Sequence, residues 1–450
     1  MKKVLMIGDA GCRTGFARVV KGVADRLHAT GWEVVVRAIN YQDDHGIEYP
    51  YEVLPMTYGD TDPTGAATLG YHIDDVKPDV LWALQDPWHI QGYSAEKPKE
   101  LPSVCYVPVD TPCIKWESGL ALGSWSQCAS YTWFGAHELA ASAQEAVDVL
   151  HEHVGIPKEG QARWASVPIA ARRVVDIRLD RLARLQNIAA WNVIPHGRTP
   201  GQFELRDKVA ARKHFGIDED AFVVGFVGGN QPRKRLDTAM RAFATAAVND
   251  PKALLVFHCW GGDDQGWDLA ALARFYGIGD KVLAVHWKWK ELSDDDLCTL
   301  YNCFDVHLNT SGGEGWALTT SESAECAVAQ IVPDWAATRE IWRDHALGIQ
   351  VTGWHHMAKY LNTAHCELSV DNAAGLIKAL KDPEYRTKMG TLARERVLQL
   401  PTWDDVGDGF AVLLDKAIKE PEALPTSLND MMRERIERIW SEVHPDAPRE

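Results

Sequence analysis

Residues 311 to 322 read SGGEGWALTTSE and set two glutamates, Glu314 and Glu322, eight positions apart, with a glycine and a tryptophan directly after the first. Gly312, Gly313 and Gly315 allow the backbone to approach a ligand closely. The stretch follows the strand-like FDVHLN, and the residues after Trp316 lead into a helix expected to start near Glu322. A helix N-terminus presents unpaired N–H donors to a phosphate, and a carboxylate at each end of the loop accepts hydrogen bonds from sugar hydroxyls. Such a loop suits a sugar nucleotide. Structural roles alone would also account for the pair, with Glu322 favouring its helix dipole and Glu314 solvated.

Two further glycine-rich stretches join a strand to a helix. GDAGCRTGF (8 to 16) has the placement that attracts an anion, but it is neither G-x-G-x-x-G nor G-x-x-x-x-G-K-[ST], so a dinucleotide fold and a P-loop are both disfavoured. VGGNQPRKRLD (227 to 237) contains Gly228 and adds Arg233, Lys234 and Arg235, three cations that suit a pyrophosphate. Taken alone, it fits a structural turn with solvated charges almost as well.

The elements that must carry these loops follow from alternation. KVLMIG (3 to 8), EVVVRAI (33 to 39), DVLWAL (79 to 84), SVCYVPV (103 to 109) and ASYTWF (129 to 134) read as strands separated by helical patterns. The pattern restarts after Pro195-His196-Gly197 with AFVVGFVGG (221 to 229), a helix from about Asp237 to Val248, ALLVFHCW (253 to 260), KVLAVHW (281 to 287), FDVHLN (304 to 309), AQIVP (329 to 333) and LGIQVTG (347 to 353). The expectation is an α/β chain of two Rossmann-like doubly wound domains facing across a cleft, with ligands beyond the carboxyl ends of the strands. The domains expected are residues 1–196, 197–400, and a crossover helix with tail over 401–450. A basic helical insert near 157–187 carries seven Lys/Arg against three Asp/Glu.

At 450 residues the chain is too long for one core, and its 46% hydrophobic and 24% charged residues are those of a globular protein. A net charge of -16 opposes sequence-blind binding to nucleic acid or to an anionic membrane. The nine cysteines form no C-x-x-C pair and read as reduced core thiols of a cytoplasmic protein. No apolar run approaches the roughly 20 residues that span a bilayer, and near the N-terminus no basic amphipathic helix with a broad apolar face supports stable membrane attachment.

GFVGGNQPRKRLDTAMRAF followed by YNCFDVHLNTSGGEGWALTTSESAECAVAQIVPDWAATREI closely resembles the C-terminal domain of the retaining glycosyltransferases of family four, whose fold is GT-B and whose signature is an E-x7-E pair, matched by Glu314 and Glu322. The resemblance implies that Glu322 binds the ribose hydroxyls and that Glu314 contacts the transferred sugar, with the amides of Gly315, Trp316, Ala317 and Leu318 around it. It places Lys234 on the diphosphate, with Gly11 and Gly15 near the donor phosphates. Where many members carry an arginine, this chain has Gly229, and Arg233 or Arg235 is the candidate replacement.

The activity implied is transfer of a sugar from a nucleoside-diphosphate-sugar, UDP-sugar favoured over GDP-sugar, to a hydroxyl, with retention and with no metal or other cofactor. A catalytically weak sugar-nucleotide or glycan-binding protein of the same fold is the alternative. The resemblance implies that residues 1–196 form the acceptor side and 197–400 the nucleotide-sugar-binding domain; on the acceptor side, Asp110 in YVPVDTPCIKW (106 to 116) stands as either a site residue or a turn-forming aspartate. The arginines at 172, 173, 178, 181 and 184 and the 18 tryptophans leave room for a polymer acceptor, including hydroxyl-modified DNA bases. A solvated helical face explains the same arginines. Asp60 to Asp62 and Asp294 to Asp296 read as turn and cap residues, not metal ligands.

Overall fold

The structure, a computed structural model, describes residues 1–42, 46–56, 62, 64–98, 100–112, 116–152, 185, 187, 191–259, 266–284, 292–357 and 363–419. The arginine-bearing insert between 157 and 184 lies outside the described residues, as do Asp60 and Cys113. The chain divides into two compact units. Residues up to Gly197, joined by helix Trp403–Lys419, form the first, and Arg198–Thr402 form the second.

The first unit holds a seven-stranded parallel sheet of order β3-β2-β1-β4-β5-β6-β7. Its strands are β1 (Lys3–Asp9), β2 (Glu33–Ile39), β3 (Glu52–Pro55), β4 (Val80–Leu84), β5 (Ser103–Val107), β6 (Gln127–Ser130) and β7 (Asn192–Val193). β1, β4 and β5 are almost unbroken apolar runs because helices cover both faces. Helix Gly15–Ala29 buries Val20, Val23, Ala24 and Leu27 at helical spacing against this sheet unit. The expected strand over 129 to 134 ends at Ser130. Thr132 begins a helix there, its carbonyl accepting from Ala136 N (3.0 Å) and its hydroxyl from Gly135 N (3.2 Å).

The second unit has a six-stranded parallel sheet of order β10-β9-β8-β11-β12-β13. Its strands are β8 (Phe222–Val227), β9 (Ala253–His258), β10 (Val282–Ala284), β11 (Val306–Leu308), β12 (Ala329–Pro333) and β13 (Leu347–Ile349). The single strand expected over 347 to 353 is two. After β13 the chain enters a separate antiparallel hairpin of β14 (Val351–Met357) and β15 (Thr363–Leu368). The exposure of β14 alternates, with Thr352, Trp354 and His356 outward. Eight described cysteines are buried thiols. Among the described residues no helix is long and apolar enough to cross a membrane.

Candidate functional site

In the second unit, β8 and β11 are neighbours (Val224 pairs with Val306), so the loops that leave their carboxyl ends lie side by side. The loop after β8 makes a tight turn over Pro232–Lys234 and then places Arg235 in the left-handed region (φ 51°) as the N-cap of helix Leu236–Ala247. The loop after β11 fastens to that turn. Thr310 Oγ1 donates to the carbonyls of Lys234 (3.1 Å) and Arg235 (3.0 Å), and Gly312 N donates to Arg233 O at 2.7 Å. Asn230, buried behind the turn, exchanges two 2.9 Å hydrogen bonds with the backbone of Trp267.

These fastenings aim the charges. Lys234 Nζ donates to Glu314 Oε1 at 2.5 Å, Ser311 Oγ donates to the same oxygen at 2.6 Å, and Arg233 Nη1 stands 3.6 Å from Oε2. Burial pushes the Glu314 carboxyl up, but the Lys234 and Arg233 charges and the two hydrogen bonds outweigh it and hold the group at about 2. It is a permanent carboxylate and a poor proton donor. Arg235 turns aside, its Nε 3.1 Å from Asp237 Oδ1. Of the three expected cations, two therefore converge on Glu314.

The helix after the glycines begins at Leu318 and not near Glu322, because Ala317 adopts a left-handed conformation (φ 70°) and its carbonyl accepts from Thr320 N (3.0 Å) and Ser321 N (3.3 Å). Glu322 thus lies in the second turn of helix Leu318–Glu325, buried, where Tyr301 donates its hydroxyl to Oε2 at 2.7 Å. Trp316 buries its side chain, and Gly315 and Leu318 are partly exposed. Below the helix, Gln330 turns its Nε2 to Val328 O (2.8 Å), so its Oε1 accepts from His307 Nδ1 (2.9 Å) and Ser323 Oγ (3.1 Å). Burial drives His307 down to about 4 and keeps it neutral.

Glu325, one turn beyond Glu322, is buried with Arg198 3.9 Å away. Burial raises its carboxyl to about 7, further helped by the neighbouring Glu322 and opposed by Arg198. A folded pKa above the unfolded one means stability that is present below the unfolded value near 4.5 and lost as pH rises through 7. Glu325→Gln should therefore stabilise the protein at pH 8 by the order of 1 to 2 kcal/mol and do nothing near pH 4.5. Paired melting curves at the two pH values check this, and an equal effect at both would contradict it.

In the first unit, Gly11 has φ 68°, and a Cβ there would meet the Tyr41 ring at 2.3 Å, so only glycine fits. Its N–H donates to Tyr49 OH at 2.8 Å. Gly15 opens helix Gly15–Ala29, capped by Thr14, whose hydroxyl accepts from Ala17 N (3.1 Å) and donates to Asp9 Oδ2 (2.6 Å). Asp110 is half-buried beyond the end of β5, on the carboxyl edge of its sheet. His196 is buried against Tyr131 with ring centroids 4.0 Å apart, and burial lowers it to about 3. That is the environment of a packing residue.

The structure therefore brings together Arg233, Lys234 and Glu314, puts Glu322 on the adjoining helix, and leaves Arg235 aside. Sequence reasoning missed Ser311, Thr310, Tyr301 and Asn230, which orient these groups. A hydroxyl or amide gives no spacing signal until its partner is known.

Two parallel α/β sheets of this order, each covered by helices, define the GT-B fold. Sucrose-phosphate synthase from Thermosynechococcus elongatus superposes with a TM-score of 0.63 at 16% identity, covering 92% of this chain and 99% of the other. Anabaena HepE in complex with UDP-glucose gives 0.63 at 13% identity, covering 92% and 100%. In sequence, residues 207–396 match the family described as glycosyl transferases group 1. D-inositol 3-phosphate glycosyltransferase of Salinispora arenicola is 27% identical over 220 residues, 47% of this chain and 45% of the relative. Its counterpart in Acidothermus cellulolyticus is 27% identical over 241 residues, 52% and 50%. The matched stretch thus spans about half the length of these curated relatives.

Proposed function

We propose that the protein is a retaining glycosyltransferase that moves a sugar from a nucleoside-diphosphate-sugar to a hydroxyl acceptor. The observation that carries this is the convergence of Arg233 and Lys234 on the buried Glu314 carboxylate, beside the helix that holds Glu322. Lys234 and Arg233, with the open amides at the start of helix Leu318–Glu325, stabilise the negative charge that grows on the departing diphosphate, electrostatic help that needs no reorganisation. Arg233, and not Arg235, supplies the cation that Gly229 lacks. Glu314, held ionised, accepts hydroxyls of the transferred sugar, and the oxygens of Glu322 accept the ribose hydroxyls. With Glu314 unable to give or take a proton near neutrality, the leaving phosphate takes the acceptor's proton on the same face, which keeps the anomeric configuration. The match to glycosyl transferases group 1 supports the reaction class, and the UDP-glucose held by HepE supports a UDP-sugar as donor.

The test is a mass-spectrometric screen with UDP-, GDP- and ADP-sugars, run with and without EDTA. Because protein cations meet the diphosphate charge, release of nucleoside diphosphate should persist in chelator. Full loss in EDTA, restored by Mn²⁺ or Mg²⁺, would reject this electrostatic account. Binding without any release would replace the enzyme with a sugar-nucleotide-binding protein of the same fold.

A further inference from the structure

The carboxyl edge of the second sheet is laid out in strand order. The cation turn leaves β8, the Glu314 loop leaves β11 beside it, and the next strand, β12, is followed directly by Asp334 and Trp335. Trp335 meets Trp354 of the hairpin, ring centroids 4.4 Å apart and planes at 75°. The hairpin is itself tied to the Glu314 loop, because Cys366 N donates to Gly312 O at 2.9 Å. A Cβ on Gly312 would come within 3.0 Å of His365 Cβ, so glycine lets the two segments lie this close. The aromatic pair therefore stands one strand beyond Glu314 along the same edge.

Packing does not account for Trp354. Trp82, Trp125, Trp191 and Trp342 are fully buried, whereas Trp354 is 47% exposed, the one tryptophan left so open among the described residues. Its neighbours on the outward face of β14 are Thr352 and His356, and the exposed Asp334 precedes Trp335. An indole face rimmed by a hydroxyl, an imidazole and a carboxylate matches a pyranose, which has an apolar face of C–H bonds and a belt of hydroxyls. Two rings near perpendicular form a corner that seats a puckered ring. They cannot sandwich a flat base, which needs parallel faces.

We propose that Trp335 and Trp354 form a subsite for a pyranose ring of the acceptor, so that the hydroxyl glycosylated belongs to a saccharide or glycoside. This rests on the glycosyltransferase reading and extends it by one sugar unit. Saturation-transfer NMR with methyl β-D-glucopyranoside and methyl α-D-mannopyranoside tests it on the wild-type chain and on Trp354→Ala and Trp354→Phe, both at an exposed position that the fold tolerates. Ring C–H protons of at least one glycoside should take up saturation from the wild type, lose it with alanine and keep it with phenylalanine. Saturation from neither glycoside, or the same saturation in the alanine variant, overturns the proposal. An oligothymidylate that takes up saturation through Trp354 while the glycosides do not also overturns it, and assigns the pair to bases. Calorimetry with the UDP-, GDP- and ADP-sugars on the same samples separates the two readings. Donor binding without glycoside contact sinks the subsite alone, and glycoside contact without binding of any donor sinks the donor reading.

Discussion

Replacing Lys234 with alanine is expected to lower kcat/KM for the nucleotide-sugar by at least about a hundredfold, the usual cost of removing one preorganised group from a developing anion. The variant should also melt at lower temperature. Among the described residues Lys234 is the closest cation to Glu314, at 2.5 Å, and without it the buried carboxylate keeps Ser311 and an arginine 3.6 Å away. Breaking a buried pair from one side costs about 3 to 5 kcal/mol at full burial. The two losses separate in the double variant Lys234→Ala/Glu314→Gln, which removes the stranded charge. Its melting temperature should recover most of the way toward wild type, and its turnover should not. Recovery of turnover along with stability would show that Lys234 serves Glu314 and not the diphosphate.

Glu322→Ala should weaken binding of the donor by about 1.5 to 3 kcal/mol, some ten- to 150-fold in Kd, the range for hydrogen bonds to a charged group. The fold should survive, because helix Leu318–Glu325 keeps Thr320, Ser323 and Ala324 in the interior and alanine is the best helix former. Tyr301→Phe provides the contrast. It removes the 2.7 Å bond that orients Oε2 but leaves the carboxylate in place, so its effect on Kd should be the smaller of the two. Calorimetry with UDP-glucose reads both. An unchanged affinity in Glu322→Ala removes the ribose assignment, whatever the tyrosine variant does.

The sheets were legible because their strands are buried on both faces and carry continuous apolar runs such as VLMIG and VLWAL. The hairpin was not. β14 alternates Thr352, Trp354 and His356 with partly buried residues, and only the single residue Gln350 separates its start from β13, with no glycine or proline to mark the boundary, so LGIQVTG reads as one strand. The same limit applied at the site. Glu314, Lys234 and Arg233 were marked by glycines and charge, but which arginine would face Glu314 depended on the left-handed turn at Arg235, and no residue type announces that conformation there. The start of the helix at Leu318 was hidden for a like reason, since Ala317 holds a backbone geometry that normally calls for glycine.

The neighbour relation of β8 and β11 also governs when this site can exist. Lys234 and Glu314 are 80 residues apart in the chain, and β9 and β10 are made in between, although both lie on the far side of β8. Chain entropy charges such a closure only logarithmically in length, but long-range parallel pairing is slow to find. During synthesis the cationic turn is therefore exposed without its carboxylate until β11 docks, a pairing recorded at Val306–Val224 and His307–Gly225. A nascent chain stopped short of residue 306 would carry Arg233 and Lys234 before Glu314 is made, beside an open strand edge. That makes it prone to pair through its exposed edge and a poor candidate for expression as a fragment.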